Sequence, residues 1–183
     1  IDNVPKFAPQ GLALISNGIS KCSAQQAIDS VFSPVFVQAI IDNSPKFNAI
    51  DLAMIANGIS KCSVQQAIDT VFSRAFVQAI IDNVPKFEPQ ELAMIANGIS
   101  KCSVQQAIDA VFSRSFVQAI IDNSPKFEPQ HLAMIANGIS KCSDQQAIDT
   151  VFSPAFVQAI IDNSPKFEPQ GLAMISKDRK STR

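Results

Sequence analysis

The sequence predicts an all-α protein, an α-solenoid of 40-residue helical repeats wound into a right-handed superhelix. The tripeptide Ile-Asp-Asn begins at residues 1, 41, 81, 121 and 161, so the period is 40. Segments 81–120 and 121–160 are identical at 34 of 40 positions. Apolar residues recur at helical spacing within each copy, and strand-like alternation is missing. A fixed period of this length indicates stacked units that contact only their neighbours.

The period divides the chain into four complete repeats with a partial unit at each end. Residues 1–6 are predicted to be the tail of a preceding repeat, and 167–183 to be a partial repeat or a C-terminal cap with a basic tail. Because Ile1 falls inside a repeat, we expect the chain to be a piece of a longer array. The tail Lys177–Arg183 is either the polar cap that a solenoid end needs or a frayed, foreign or truncated end. The complete units are repeat 1 (7–46), repeat 2 (47–86), repeat 3 (87–126) and repeat 4 (127–166).

The first of three predicted helices in each repeat, helix A, spans about 9–22 in repeat 1. Pro9 suits a first helical position. Between residues 12 and 22, one face of the predicted helix is formed by Leu12, Ile15, Ser16, Ile19 and Cys22. Gly18 lies inside this helix, where it costs about 1 kcal/mol relative to alanine. The alternative is that helix A ends at this glycine.

Helices B and C are predicted from capping signals and proline. Ser23 and Gln26 match a capping box that begins helix B. Pro34 suits the first turn of helix C, and Asn43 and Pro45 end that helix. Where arginine replaces Pro34, helices B and C are expected to run on with a bend; these positions are Arg74 and Arg114.

Composition limits the class of function. The formal net charge is −1 and the last seven residues carry +3, so the body carries about −4. This is not the basic surface of a strong non-specific phosphate binder. No apolar run reaches the roughly 18–20 residues of a membrane span, so we expect no membrane association, and we expect a monomer. No basic segment followed by an apolar one opens the given sequence. Because we expect a piece of a longer array, the compartment stays open, with an intracellular location favoured.

No residue pattern indicates catalysis, a metal or a cofactor. His131 is the only histidine, whereas Asp29 and Asp42 recur in every copy, which fits surface or capping roles. One cysteine per repeat, 40 residues apart, is too dispersed for a zinc site, and stacked helices lie about 8–10 Å apart, too far for a disulfide. We therefore expect a non-enzyme in which these cysteines are core residues: Cys22, Cys62, Cys102 and Cys142.

One position changes residue type almost every time while its surroundings stay fixed. It is occupied by Gly11, Asp51, Glu91, His131 and Gly171. A modular nucleic-acid reader varies one or two side chains per repeat, each facing one base, so this is a candidate specificity position. The other interpretation is drift in the first turn of helix A, where acidic residues favour the helix dipole. Both interpretations stay open.

A constant polar stripe on helix A is the second candidate surface. Stacking would align its asparagines and its lysines, so that lysine could neutralise phosphates while asparagine hydrogen-bonds to base or backbone. A solvated helix face is the alternative. The two rows are Asn17, Asn57, Asn97 and Asn137, and Lys21, Lys61, Lys101 and Lys141.

The segment Phe87–Cys102, preceded by Phe76–Ile80, resembles the octotricopeptide and related heptatricopeptide-type repeats. That resemblance implies an α-solenoid that binds RNA sequence-specifically. Pro89–Gly98 followed by Gln105–Val111 more weakly resembles transcription-activator-like effector repeats, which read double-stranded DNA through a two-residue loop, here Asn97 and Gly98.

The expected function is therefore a modular nucleic-acid-binding array that takes single-stranded RNA at about one base per repeat. The asparagine and lysine rows and the variable position would hold and select the nucleotides. Two alternatives remain, an array of effector-like repeats on double-stranded DNA and a protein-protein interaction scaffold.

Overall fold

A computed structural model of the chain describes residues 8–167. This part of the chain is all-helical and contains no strand, which confirms the predicted class for these residues. The predicted partial unit 1–6 and residues 168–183, with Gly171 and the basic tail, lie outside the described residues. The α-helices are α1 (Pro9–Ile19), α2 (Gln25–Val31), α3 (Pro34–Asn43), α4 (Ala49–Ile59), α5 (Gln65–Val71), α6 (Arg74–Asn83), α7 (Pro89–Ile99), α8 (Gln105–Val111), α9 (Arg114–Asp122), α10 (Pro129–Ile139), α11 (Gln145–Val151) and α12 (Pro154–Asn163).

Neighbouring helices pack in sequence order, as expected for an α-helical repeat. The A helices α1, α4, α7 and α10 pack one on the next and make the most extensive contacts in the described chain. Each C helix packs against the A helix of its own repeat, and α3, α6 and α9 pack also against the B helix of the following repeat. One side of the molecule thus carries one helix per repeat, and the other side carries two.

The apolar faces of these helices form one continuous core. Leu12, predicted to face inward, is fully buried, as is its copy Leu52. Phenylalanines fill the space between helices B and C: the rings of Phe72 and Phe76 form a T-shaped, edge-to-face pair with centroids 5.8 Å apart and an angle of 77° between their planes. Cys62, Cys102 and Cys142 belong to this core, as predicted, and half-buried Cys22 packs against it. All four cysteines are free thiols.

A close approach between successive A helices explains the glycine inside α4, α7 and α10. A Cβ on Gly98 would lie 2.6 Å from the backbone oxygen of Ala56, and one on Gly138 would lie 2.6 Å from that of Ala96. Real Cβ atoms essentially never come this close to another atom. The glycine therefore allows the helices to stack, and helix A continues through it, as predicted.

Helix A ends earlier than the predicted residue 22. The helix stops at Ile19. Beyond it, the amides of Lys21 and Cys22 donate to carbonyls three residues back in the chain, those of Gly18 and Ile19. The hydroxyl of Ser20 also donates to the carbonyl of Asn17 at 2.7 Å. These bonds satisfy the terminal carbonyls and close the helix.

The predicted capping box at helix B is wrong. Helix α2 has Ala24 as its N-cap and no side-chain cap, so Ser23 does not begin it. In repeat 2 the equivalent Ser63 donates instead to Asp29 of the preceding repeat. Only Asp144 caps a B helix in the described range, accepting from the amide of Gln146 at 2.9 Å.

The run-on of helices B and C at the arginines is also wrong. Helix α5 ends at Val71 and α6 begins at Arg74, the same break that proline marks in repeat 1. The backbone of Phe72 has φ −76° and ψ 36°, close to the −79° and 39° of Phe32. Both rings are buried, so packing of this phenylalanine holds the elbow whether or not proline follows. Helix C ends at Asn43 as predicted, and Pro45 lies in a short 3-10 helix, Ser44–Lys46.

We expect Gly98→Ala to destabilise the protein by about 1–3 kcal/mol, because its methyl group overpacks the contact with Ala56. Gly18→Ala is the matched control: nothing described lies within 4 Å of its Cβ, and alanine raises helix propensity there by up to about 1 kcal/mol. Urea denaturation followed by circular dichroism would measure both. Equal midpoints for the two variants would contradict the role assigned to the glycine.

Candidate functional site

The variable position lies in the first turn of each A helix, where its side chain folds back onto the chain before the helix. Asp51 accepts from the amide of Asn48 at 3.3 Å, and Asn48 accepts from the amide of Asp51 at 2.9 Å. The carboxylate of Glu91 accepts from the Glu88 amide at 2.9 Å. Each side chain thus satisfies an otherwise free backbone N–H at the helix start.

His131 takes the same capping role with a ring nitrogen. Its Nδ1 accepts from the amide of Glu128 at 3.3 Å, and its ring forms a T-shaped pair with the ring of Phe127, with centroids 6.4 Å apart. Burial lowers the pKa of His131, and the charge of Glu128 opposes this only partly. The imidazole is therefore held neutral, the form in which Nδ1 can accept a hydrogen bond. Gly11 has no side chain to make such a bond.

The asparagine row joins successive A helices. Asn57 Nδ2 donates to the hydroxyl of Ser20 in the preceding repeat at 3.3 Å, and Asn97 donates likewise to Ser60 at 3.3 Å. Asn137 repeats the contact with Ser100 at 3.0 Å. One N–H of each of these three amides is therefore used to join neighbouring repeats. These asparagines are half-buried.

A second set of hydrogen bonds joins the loop after helix A to helix B of the preceding repeat. The carboxylate of Asp29 accepts from the amide of Ser63 at 2.8 Å and from its hydroxyl at 2.5 Å. Gln25 donates both to Asp29 and to the backbone oxygen of Lys61, each at 2.9 Å. The same bonds recur in the next two junctions, with Asp69 and Ser103 and with Asp109 and Ser143.

The pKa values of the aspartates in this Asp–Ser clamp, and of the cysteine next to it, are shifted. The hydroxyl and the amide of Ser63, with Gln25, lower the pKa of Asp29 to about 2. For Asp69, burial opposes ionisation, but the bonds from Ser103 outweigh it and the pKa is lowered. Burial raises the pKa of the Cys102 thiol to about 11, so this cysteine is a poor nucleophile at neutral pH.

The lysine row lies at the start of the same loop. Lys21, Lys61, Lys101 and Lys141 are all exposed. Within residues 8–167 no hydrogen bond or ion pair engages their ammonium groups, whereas Lys46 Nζ donates to Asn43 Oδ1 at 3.4 Å. The register of the row is set by the backbone, because the carbonyls of Lys61, Lys101 and Lys141 accept from the preceding repeat.

The described range has a slight acidic excess, with ten Lys and Arg against thirteen Asp and Glu. Its phenylalanines are buried or half-buried, so no aromatic ring in this range is fully exposed for base stacking. No group of three or more His, Cys, Asp or Glu residues within 8–167 could hold a metal ion. No helix in that range is long and apolar enough to cross a membrane.

Sequence reasoning found the asparagine and lysine rows but missed the Asp–Ser clamp. A signal was present, since the residues equivalent to Ser23 and Asp29 are unchanged in every complete repeat. Asp29 and Ser63 are 34 residues apart, so a search for local capping patterns does not pair them. No family model, curated protein or solved structure matches the chain.

We expect acid to weaken the fold as the pH falls from about 4 towards 2. The pKa of Asp29 is about 2 in the fold, whereas a free aspartate has its usual pKa of 3.8. The ionised carboxylate therefore stabilises the folded state fully above pH 3.8, and this contribution is lost as the pH falls towards 2. Asp29→Asn should reduce this acid-dependent loss. Thermal midpoints measured between pH 5 and 2 provide the test, with Asp42→Asn as control because Asp42 accepts from Gln38 of its own helix. An unchanged profile in Asp29→Asn would count against the clamp.

We expect His131→Glu to raise stability by about 0.5–1 kcal/mol at pH 7, because a carboxylate suits the helix start and repeat 3 shows the bond it would make. His131→Gly should lower stability by about 1 kcal/mol. Gln130→Glu is the control that adds the same charge one residue earlier. Equal thermal midpoints for the two glutamate variants would show that charge, and not the cap bond, is responsible.

Proposed function

We propose that the chain is an α-solenoid of 40-residue repeats, wound as a right-handed superhelix, that binds nucleic acid along helix A, with single-stranded RNA preferred. The observation that carries the proposal is the lysine row. One exposed ammonium group per repeat stands at the same loop, without a partner in the described chain, and in a register fixed by bonds between repeats. Such a row suits a ligand with a regular series of negative charges.

The exposed stripe of helix A supplies a surface for bases. In repeat 3 it runs from exposed Gln90 over half-buried Met94 and Asn97 to Lys101. Residues 91 and 101 are ten apart, which places the variable position about 15 Å from the lysine along the helix axis. We assign the lysines to phosphates, the methionine and asparagine to the base, and the variable position to base choice at the far edge. Single-stranded bases are exposed for such contacts, about one per repeat.

Two further points favour RNA over duplex DNA. The octotricopeptide-type resemblance of Phe87–Cys102 implies an RNA ligand. The effector-type resemblance needs a reading loop at Asn97 and Gly98, whereas both residues lie inside α7. There Gly98 is buried against the preceding A helix, so it offers no loop that could enter a DNA groove.

A protein-binding scaffold is the second candidate. The acidic excess of the described range disfavours a polyanion as the only ligand. Half-buried methionines on helix A, and clefts between repeats, offer apolar surface of the kind that proteins bind.

Fluorescence anisotropy with randomised pools of single-stranded RNA and double-stranded DNA would test the proposal. We expect RNA to bind more tightly and affinity to fall with salt. Lys101→Gln should reduce the slope of log K against log salt by about 0.7, the value for one single-strand phosphate contact.

Lys126→Gln is the matched control, with the same change of charge at an exposed lysine in the 3-10 turn at the other end of helix A. Preference for the duplex pool would favour effector-like binding, and no binding to either pool at low salt would favour the scaffold. A separate experiment tests the variable position: RNA ligands are selected from the random pool with the parent chain and with His131→Asp. If both select the same bases, the variable position does not determine base choice.

A further inference from the structure

Three clefts recur at the junctions between repeats. Each lies where helices B and C of one repeat meet helix B of the next. Their volumes are about 240, 580 and 510 Å³ for junctions 1–2, 2–3 and 3–4. The constant walls include a phenylalanine at the elbow, a valine and a glutamine of helix C, and a glutamine of the following helix B; in junction 2–3 they are Phe72, Val77, Gln78 and Gln106.

The variable residues of two repeats meet in these clefts. Only eleven of the 40 repeat positions differ between copies, and three of them line every cleft. They are the first residue of helix C, the residue before the next helix B, and a residue near the end of that helix. The three sets are Pro34, Val64 and Thr70; Arg74, Val104 and Ala110; and Arg114, Asp144 and Thr150.

Each of the two larger clefts contains one arginine. Arg74 and Arg114 are the only arginines in residues 8–167, and each lines one of the two larger clefts. Both side chains are exposed, and neither makes a hydrogen bond or ion pair within the described chain. A guanidinium group with five free donors matches the two oxygens of a carboxylate.

The remaining walls favour a polypeptide over a nucleic acid. Val104, 43% exposed, joins Val77 and Ile81 in the cleft that contains Arg74. Asp69 lines this cleft and Asp144 lines the next. One arginine beside a carboxylate on an apolar wall disfavours a chain that carries a phosphate at every unit. It suits a peptide in which acidic and apolar side chains are mixed.

We propose that the clefts of junctions 2–3 and 3–4 bind an extended acidic segment of a partner protein, with one glutamate or aspartate paired to Arg74 and another to Arg114. Apolar side chains of the segment rest on the cleft walls, and the variable residues select which side chain each junction accepts. This inference rests on the scaffold candidate and does not depend on RNA binding.

The test uses fluorescein-labelled twelve-residue peptides of Leu, Ala and Ser that contain two glutamates separated by one to eight residues. The same peptides with glutamine in place of glutamate are the controls. Anisotropy with the full chain should show tighter binding for glutamate at one or two of the spacings, weakening as salt is added.

The decisive variant is Arg74→Pro with Arg114→Pro, because proline stands at the equivalent positions in repeats 1 and 4 and begins helix C there. The double variant should keep its helical circular dichroism and lose about tenfold in peptide affinity for each arginine. Lys86→Gln with Lys126→Gln removes the same charge outside the clefts and should leave peptide affinity nearly unchanged.

Three results would overturn the inference: no advantage of glutamate over glutamine at any spacing, binding that survives the double proline change, or an equal loss in the lysine control. The RNA pool is measured in parallel. If only RNA binding falls in the proline variant, the arginines serve a nucleic acid and the peptide assignment fails. Loss of peptide binding alone would support the inference whatever the result for RNA.

Discussion

The stacking of the A helices depends on one short contact, the glycine of each helix against the backbone of the helix before it. At Gly58, Gly98 and Gly138 the space that a Cβ would need is occupied by the chain of the preceding repeat. The residue that receives the contact is also small: Ser16, Ala56 or Ala96. Two helices can approach this closely only when both faces lack bulk, so the pair of small residues sets the distance between repeats on this side.

That distance brings polar side chains of adjacent repeats within hydrogen-bonding reach. The Asn57–Ser20 bond and the Asp29–Ser63 clamp both flank the end of helix A and the loop that follows. Each is modest alone, because a typical intramolecular hydrogen bond contributes about 1 kcal/mol net. Together these hydrogen bonds determine how one repeat is positioned on the next. Each repeat is held to its neighbour by apolar packing and by directional bonds, as in an array with nearest-neighbour contacts.

The repeat made the all-α class and the core residues predictable, because few other folds have a period of 40 residues together with apolar residues at helical spacing. Leu12 and Cys102 could be assigned to the core from phase alone. The effect of the glycine on stability was misjudged. Its lower helix propensity is visible within one helix, whereas the close packing that it allows with the neighbouring A helix is not. The serine before helix B was misassigned for the same reason: a local capping pattern was present, but in repeat 2 Ser63 donates to a carboxylate of another repeat, that of Asp29.

Contacts between repeats also help to separate residues that hold the fold together from candidate binding residues. Constant polar residues in a repeat array have two possible reasons, a repeated ligand or a repeated neighbour. Asn97 and Ser103 bond to a neighbour. Lys101 is equally constant, yet nothing in the described chain engages its ammonium group, so bonding between repeats does not account for it.

Variable residues follow the converse logic. Asp51, Glu91 and His131 vary between a carboxylate and an imidazole that perform one local task, capping a helix. Arg74 and Pro34 also share a local task, since both begin helix C, but only the arginine adds an unpaired charge to a cleft between repeats. Variation that preserves the backbone while changing the chemistry of a shared cleft is the kind expected where each junction meets a different part of one ligand.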